Sequence, residues 1–201
     1  MLIEPVTLEG RAVRLEPLGE KHTSGLCEIG LEEDLWDLIP YRVTTPEQML
    51  AYVKTALAAQ TAGTALPFVT IEIAYGKPIG STRFLNIDTG NRRVEIGATF
   101  VGKSWQRTIV NTEAKYLMLR HAFETWNCIR VELKTDALNR RSREAILRIG
   151  AQEEGTLRQH MITWSGRLRD TVYFSILRSE WPGVKTTLER KLGTSAGISR
   201  E

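Results

Sequence analysis

The sequence predicts a single α/β (α+β) domain built on a mixed β-sheet with helices packed against it. Short segments in which apolar and polar residues alternate indicate strands, and apolar residues that recur every three or four positions indicate helices. These segments follow the order β-α-α-β-β-β-α-β-α-β-β and end in a further helix, which is typical of a sheet covered by helices. We expect residues 1–192 to form this domain and the small, polar residues 193–201 to form a flexible tail.

The chain opens with one strand and two helices. In residues 11–17 the apolar Val13 and Leu15 alternate with polar residues, as in a half-buried strand. Helices are predicted at 21–31 and 46–62, and the second carries apolar residues at helical spacing that would pack on a sheet.

The remaining elements follow from the same two patterns. Strands are predicted at 68–74, 78–87, 93–101, 129–135, 155–164 and 168–177. A helix is expected after the third of these strands, with Asn111 or Thr112 able to cap its start. Further helices are predicted at 139–149, where Gly150 is a natural end, and at 179–192.

Composition excludes several classes of protein. The chain has 201 residues, 42% of them hydrophobic and 25% charged, as expected for one globular domain. No apolar run approaches the roughly 20 residues that a membrane span needs, and the first residues lack the pattern of a signal peptide. The net charge of +3 is scattered except at Arg140, Arg141 and Arg143, which favours a small polyanion over a nucleic acid. We therefore expect a cytoplasmic protein with no membrane partner.

Cysteine and histidine give no sign of a metal site. Cys27 and Cys128 lie far apart in the sequence, and neither has metal-ligand spacing around it, so both are expected to be reduced thiols. The three histidines show no ligand spacing either. We therefore predict that the protein needs no metal.

Residues 93–115, which are predicted to form a strand, a polar loop and the start of a helix, suggest a ligand site. A helix N-terminus exposes unpaired N–H groups and a partial positive charge, so it binds phosphate well, and Lys103 and Arg107 add charge to the loop. The chain has no G-x-x-x-x-G-K-[ST] and no G-x-G-x-x-G, which argues against a P-loop and against a Rossmann turn. An anion site and an ordinary strand-to-helix crossover both fit this pattern.

The same segment resembles a known family. Residues 94–100 (VEIGATF) and 111–115 (NTEAK) resemble the central motif of the GNAT acetyltransferases, and they are most similar to the subgroup that includes the ribosomal-protein N-terminal acetyltransferases. Four other runs resemble further family segments in the right order: 8–15, 139–143, 149–151 and 170–175. The similarity therefore covers nearly the whole chain.

The resemblance implies a fold and an activity. The GNAT fold has a mostly antiparallel sheet, here of about six to seven strands, with a central splayed parallel pair and helices on both faces. Its members move an acetyl group from acetyl-coenzyme A to a primary amine by direct attack on the thioester. For this chain the acceptor would be a protein N-terminal amine or a small molecule, with the first favoured by the subgroup resemblance alone. A homodimer is a further implication.

The family positions can be carried over residue by residue. The resemblance implies that coenzyme A contacts the end of the strand, the loop and helix start, and the start of a later helix. These positions are Phe100, Val101, Arg107, Thr108, Ile109, Val110, Asn111, Thr112, Asn139, Ser142 and Arg143.

Three positions depart from the family pattern. Arg107 and Ile109 stand where the family has loop glycines, which let backbone approach a phosphate closely. Side chains there could weaken the phosphate cradle, or Arg107 could pair with the pyrophosphate directly. Ile146 replaces a tyrosine proposed to protonate the leaving thiolate, so that role passes to Ser142, to water or to no group.

Two residues are candidates for catalysis. The amine must be neutral to attack, so a base that takes its proton is useful. Glu95 lies among small residues on the motif strand and could take the proton through water, or it could be a solvent-facing strand glutamate. Ser142 could protonate the thiolate or contact the cofactor, or it could be a residue that bonds backbone at the start of a helix.

Acceptor-side candidates lie in two segments. Trp36 and Tyr41 fall between the first two helices, in a segment that resembles the acceptor-binding region, and they could line the acceptor or pack in the core. Asp170 and Tyr173 lie on the last strand, where Asp170 could orient the acceptor or end a turn and Tyr173 could contact the acceptor or belong to the core.

Two rival functions fit the same residues. The first is a GNAT-like binding module that has lost catalysis, given Arg107, Ile109 and Ile146. The second is a ribosome- or RNA-associated protein that uses the arginines at 140–143, and it predicts salt-sensitive RNA binding.

Overall fold

The computed structural model describes residues 1–193, which form one eight-stranded sheet with α-helices on both faces. The strands are β1 (Leu8–Glu9), β2 (Val13–Pro17), β3 (Ala65–Glu72), β4 (Lys77–Asp88), β5 (Arg93–Val101), β6 (Arg130–Asp136), β7 (Gln152–Ile162) and β8 (Leu168–Leu177). The α-helices are α1 (Thr23–Gly30), α2 (Pro46–Thr61), α3 (Val110–Arg120), α4 (Arg140–Arg148) and α5 (Trp181–Leu192). From residue 194 on, the predicted tail lies outside the described residues.

The sheet confirms the predicted fold class. Its strand order is β1-β2-β3-β4-β5-β6-β8-β7, and its neighbours are antiparallel except for the parallel pair of β5 and β6. The described part of the chain has one strand more than expected. The additional strand, β1, has two residues, too few for an alternating pattern to reveal.

The start of α3 differs from the prediction. The helix begins at Val110, and Ile109 precedes it without a side-chain cap, so the expectation that Asn111 or Thr112 caps it is wrong. The chain turns earlier than the sequence suggested, because Arg107 adopts a left-handed backbone with φ of 62°. Asn111 and Thr112 therefore lie inside the first helical turn.

Apolar residues form a core on each face of the sheet. The larger core packs α3 and α5 against the sheet around Phe84, Met118 and Phe174. The smaller core packs α1 and α2 on the other face and contains Trp36 and Phe100, whose ring centroids are 5.1 Å apart.

A buried glutamate fixes α3 to the N-terminal strands. The carboxylate of Glu113 accepts the backbone N–H groups of Arg11, Ala12 and Val13 at 2.9, 2.7 and 2.8 Å. A Cβ atom at Gly10 would lie 2.6 Å from this carboxylate, so the turn between β1 and β2 needs glycine there. This clamp holds the helix whose N-terminus faces the predicted ligand loop.

Candidate active site

The two central strands diverge and open a wedge in the sheet. β5 and β6 pair only where Arg93–Glu95 faces Arg130–Glu132. Beyond Glu95, β5 stays paired with β4, and β6 stays paired with β8. The peptide groups of β5 that follow Glu95 have therefore left the ladder with β6 and can hydrogen bond a ligand placed in the gap.

A bulge lies in β5 next to this wedge. Ser81 pairs with Phe100 but Arg83 pairs with Gly97, so β5 holds one more residue than β4 between these pairs. Ala98 at the bulge has a φ of 46°, and the hydroxyl of Tyr52 donates to its carbonyl oxygen at 3.2 Å. The helix α2 thus braces the bulge from one face.

Glu95 occupies the last paired position before the strands part. Its side chain is only 2% exposed, so the alternative of a solvent-facing strand glutamate is wrong. Asn86 donates to its carboxylate at 2.8 Å, and the Nζ atom of Lys134 lies 3.0 Å away. These two contacts fix the position of the carboxylate at the edge of the wedge. Sequence reasoning missed Lys134, although its position in β6, two residues after Glu132, places it on the face of Glu95.

Tyr173 lies on the same face as Glu95. It is opposite Lys134 in the register of β6 and β8, and the Nζ atom of Lys134 is 5.7 Å from its ring centroid. Asp170 is an odd number of residues away on the same strand, so it lies on the other face. Its carboxylate accepts the backbone N–H of Gln159 at 2.7 Å, which supports the structural alternative for Asp170.

The segment between α1 and α2 covers the face of Glu95. Trp36 is entirely buried, and its indole N–H donates to the carbonyl of Gly30 at 2.9 Å, which supports the alternative that it packs in the core. Tyr41 is partly buried with its ring 5.7 Å from that of Tyr52. Burial raises the pKa of Tyr41 well above its usual range, so its phenol stays neutral at physiological pH.

The tip of the β7–β8 hairpin touches this covering segment. Trp164 donates its backbone N–H to Pro40 at 3.0 Å and its indole N–H to the carbonyl of Trp36 at 3.1 Å. The guanidinium of Arg42 lies 4.7 Å from the Trp164 ring centroid. These contacts fix the tip of the hairpin to the segment that covers the face of Glu95.

The loop before α3 forms a basic surface cavity of about 300 Å³. It is lined by Arg107, Thr108, Ile109, Thr112, Arg148 and Lys191. Three of these side chains are cationic, and the cavity adjoins the N-terminus of α3, so the phosphates of coenzyme A fit its charge. Lys103, in contrast, already binds Glu32 and Asp34 at 2.6 and 2.8 Å, so its charge is largely neutralised.

The two missing glycines have different consequences. Arg107 adopts the left-handed backbone that glycine favours, with φ of 62°. Ile109 has an ordinary helical conformation, with φ of −71°, and needs no glycine. The loop therefore adopts the left-handed turn that a glycine would allow, and the backbone of Arg107 is strained as a result.

The start of α4 is organised by Asn139. Its side-chain oxygen accepts the backbone N–H of Ser142 at 2.9 Å, so Asn139 caps the helix and Ser142 sits in its first turn. Arg143 binds Glu153 at 3.2 Å. Ile146 is 7% exposed and packs in the larger core, away from any role in proton transfer.

A lysine lies buried beneath the bulge of β5. The Nζ atom of Lys115 donates to the hydroxyl oxygens of Thr99 and Thr82 at 2.7 and 3.3 Å. Burial lowers its pKa to about 7, and the charge of Glu95 opposes this shift. Sequence reasoning did not single out Lys115, because its position on α3 does not indicate that its side chain contacts two threonines on β4 and β5.

Residues 1–193 hold no group of three or more His, Cys, Asp or Glu side chains able to bind a metal ion. No helix in this part of the chain has the length and apolar character needed to cross a membrane.

Comparison with known proteins gives a family and related structures. Residues 12–152 match the family described as Acetyltransferase (GNAT) domain. The "Putative ribosomal N-acetyltransferase YdaF" of Bacillus subtilis (strain 168) is 34% identical over 110 residues, which is 55% of this chain and 59% of that protein. The match thus spans less than two thirds of the length of this relative.

Solved structures share the fold over most of their length. A GCN5-related N-acetyltransferase from Brucella melitensis has a TM-score of 0.87 and 33% identity, covering 94% of this chain and 86% of that one. RimJ of Mycobacterium smegmatis, solved with CoA-disulfide, has a TM-score of 0.82 and 23% identity over 94% and 96% of the two chains, and it supports the fold alone. The chain therefore belongs to the GNAT acetyltransferase family.

Proposed function

We propose that this chain transfers the acetyl group of acetyl-CoA to a primary amine and that Glu95 takes up the amine proton through water. The observation that carries the proposal is the buried, ion-paired carboxylate of Glu95 at the point where β5 and β6 part. Acetyl-CoA supplies the acetyl group as a thioester. An amine attacks it only when neutral, so a nearby proton acceptor speeds the reaction.

In this proposal, acetyl-CoA is held by backbone groups of β5 and by the loop before α3. The peptide groups of β5 beyond Glu95, including those of Phe100 and Val101, lie along the wedge and can bind the pantetheine arm and polarise the thioester carbonyl. The phosphates lie at the N-terminus of α3, near the residues from Arg107 to Thr112. Asn139, Ser142 and Arg143, at the start of α4, lie beside the arm.

The acceptor amine enters from the face of Glu95 in this proposal. Tyr41 and Tyr173 line its path, and Lys134 positions Glu95. The name of the Bacillus relative refers to the ribosome, which favours a protein N-terminal amine over a small amine. Action in the cytoplasm as a homodimer belongs to the same proposal.

The test is to incubate the protein with acetyl-CoA and peptides that have a free or a blocked N-terminal amine, together with small amines. We expect release of free thiol and acetylation, located by mass spectrometry, at the free N-terminal amine. Acetyl-CoA binding without thiol release for any amine would contradict the proposal and support the rival binding module. Salt-sensitive RNA binding that survives loss of the Ser142 hydroxyl would support the second rival.

A further inference from the structure

Arg83 is a buried cation without a counter-ion in the described structure. It lies on β4, is 6% exposed, and its guanidinium carbon is 4.7 Å from the centroid of the Tyr52 ring. Its Nε atom is buried and has no hydrogen-bond partner among residues 1–193. Burial of a charge is costly unless the charge is paired, so an unpaired guanidinium beside a cleft indicates an anion that arrives with a ligand.

Arg169 is a second buried cation with incomplete pairing. It lies on β8 and is 4% exposed, and its Nε atom also has no hydrogen-bond partner in the described part of the chain. Its nearest carboxylate, that of Asp136, is 3.9 Å away and is already hydrogen-bonded to Arg167. One buried carboxylate is thus shared by two guanidinium groups.

Both arginines lie on the face of the sheet that carries Glu95. Arg83 pairs with Gly97 and Leu85 pairs with Glu95, so Arg83 and Glu95 are diagonal neighbours on one face, about 7–8 Å apart between Cα atoms. Arg169 lies on the same face, because it is four residues from Tyr173 on β8 and Tyr173 is opposite Lys134, the ion-pair partner of Glu95. Burial lowers the pKa of Arg169, whereas the charges of Asp136 and then Glu95 oppose this.

Two tyrosines lie beside Arg83. Its guanidinium contacts the ring of Tyr52, and the ring of Tyr41 is 5.7 Å from that of Tyr52. Burial raises the pKa of Tyr41, and the charges of Arg83 and Arg169 oppose this rise. The charge balance follows from the ion pairs: Lys134 balances Glu95, and Arg167 balances Asp136. The charges of Arg83 and Arg169 remain, so this face of the sheet carries an excess of positive charge near Glu95.

We propose that the acceptor amine carries a carboxylate within a few bonds of its nitrogen, and that Arg83 and Arg169 bind this carboxylate. This inference rests on the proposed function of the Glu95 site. Arg83 and Glu95 are diagonal neighbours on one face, so a molecule the size of an amino acid can place its amine at Glu95 and its carboxylate beside the guanidinium. Such a carboxylate can belong to a free amino acid or to an acidic first residue of a peptide.

The experiment compares matched acceptors by the rate of thiol release from acetyl-CoA. One pair is a peptide that begins with aspartate and the same peptide that begins with asparagine; the other is free alanine and alaninamide. We expect kcat/KM to favour the carboxylate member of at least one pair by about tenfold or more. The pair that shows the preference identifies the source of the carboxylate.

Two results overturn the inference in distinguishable ways. Measurable turnover with no preference beyond about twofold in either pair would refute it and leave the proposed function intact. No thiol release with any acceptor would refute the acetyl transfer itself, and the inference with it.

Variants of Arg83 give a second measurement. In R83Q we expect the preference for the carboxylate acceptor, taken as the ratio of kcat/KM for the acid and for its amide partner, to fall about tenfold. R83K, which keeps the charge, should recover part of the preference. Equal losses for both members of the pair in R83Q would contradict binding of the carboxylate by Arg83. If either variant fails to fold, the comparison of acceptors with the natural protein decides.

Discussion

The Nζ atom of Lys134 lies 3.0 Å from a carboxylate oxygen of Glu95, and this ion pair sits where the central strands part. We predict that K134M lowers kcat for thiol release by about tenfold, because the carboxylate of Glu95 loses the ammonium that holds it in place. The measurement is the rate of thiol release at saturating acetyl-CoA and amine. K134R keeps a cation at this position and should lose much less activity. An unchanged rate in K134M would show that Lys134 does not position Glu95.

The left-handed backbone of Arg107 gives a matched pair of variants. R107G and R107A both remove the charge, but only glycine adopts a φ of 62° without strain. We expect R107G to be more stable than R107A by about 1 kcal/mol in urea unfolding. Acetyl-CoA should still bind R107G, with affinity reduced only several-fold, if the backbone makes the main phosphate contacts. Loss of all binding in R107G would show that the guanidinium itself recognises the pyrophosphate.

The buried Lys115 should make stability depend on pH. Its pKa of about 7 in the folded protein lies below the usual pKa of a lysine, so at pH values between the two the unfolded chain binds more protons than the folded protein. The contribution of Lys115 to the free energy of unfolding therefore rises from about pH 7 towards pH 10. K115M should flatten this slope and stabilise the protein at pH 7 by on the order of 2 kcal/mol.

The comparison for Lys115 is an exposed lysine on α2. K54M should leave the slope of the free energy of unfolding against pH unchanged, because Lys54 is exposed to solvent. Equal slopes for the natural protein and K115M would contradict the lowered pKa. Thr82 and Thr99 can still bond each other at 2.7 Å in K115M, so loss of folding is not expected.

The contacts of Glu113 lead to a prediction about stability alone. Three backbone N–H groups now donate to its carboxylate, and in E113Q one of them would face an amide NH₂ group instead. We therefore expect the free energy of unfolding to fall by on the order of 2 kcal/mol. E28Q, at an exposed position on α1, should change it by less than about 0.5 kcal/mol. A loss in E113Q as small as that in E28Q would mean that the clamp contributes little.

Local patterns predicted the elements better than the contacts between them. The bounds of β5 and β8 coincide with the predicted 93–101 and 168–177, because alternation and flanking turns define them locally. Glu95 was a candidate from its motif, but its burial depends on the divergence of β5 from β6, which no short run of sequence encodes. The same holds for Lys134, Arg83 and Arg169, which share one face of the sheet only because of the strand order.

The aromatic candidates show the same limit. Trp36 and Tyr41 are both aromatic residues of one irregular segment, and sequence reasoning treated them alike. In the structure, the indole N–H of Trp36 donates to a backbone carbonyl within the smaller core, and this hydrogen bond allows the whole side chain to be buried. Tyr41 stays partly buried near the cleft.

The most direct test of this account is the rate of thiol release by E95Q at saturating acetyl-CoA and amine. Glu132, directly opposite Glu95 on β6, provides the matched control E132Q. We predict that E95Q loses about 100-fold in kcat, while acetyl-CoA raises its melting temperature as much as that of the natural protein and E132Q stays within a few-fold. Unchanged turnover in E95Q would contradict a catalytic Glu95 and with it the proposed path of the amine proton.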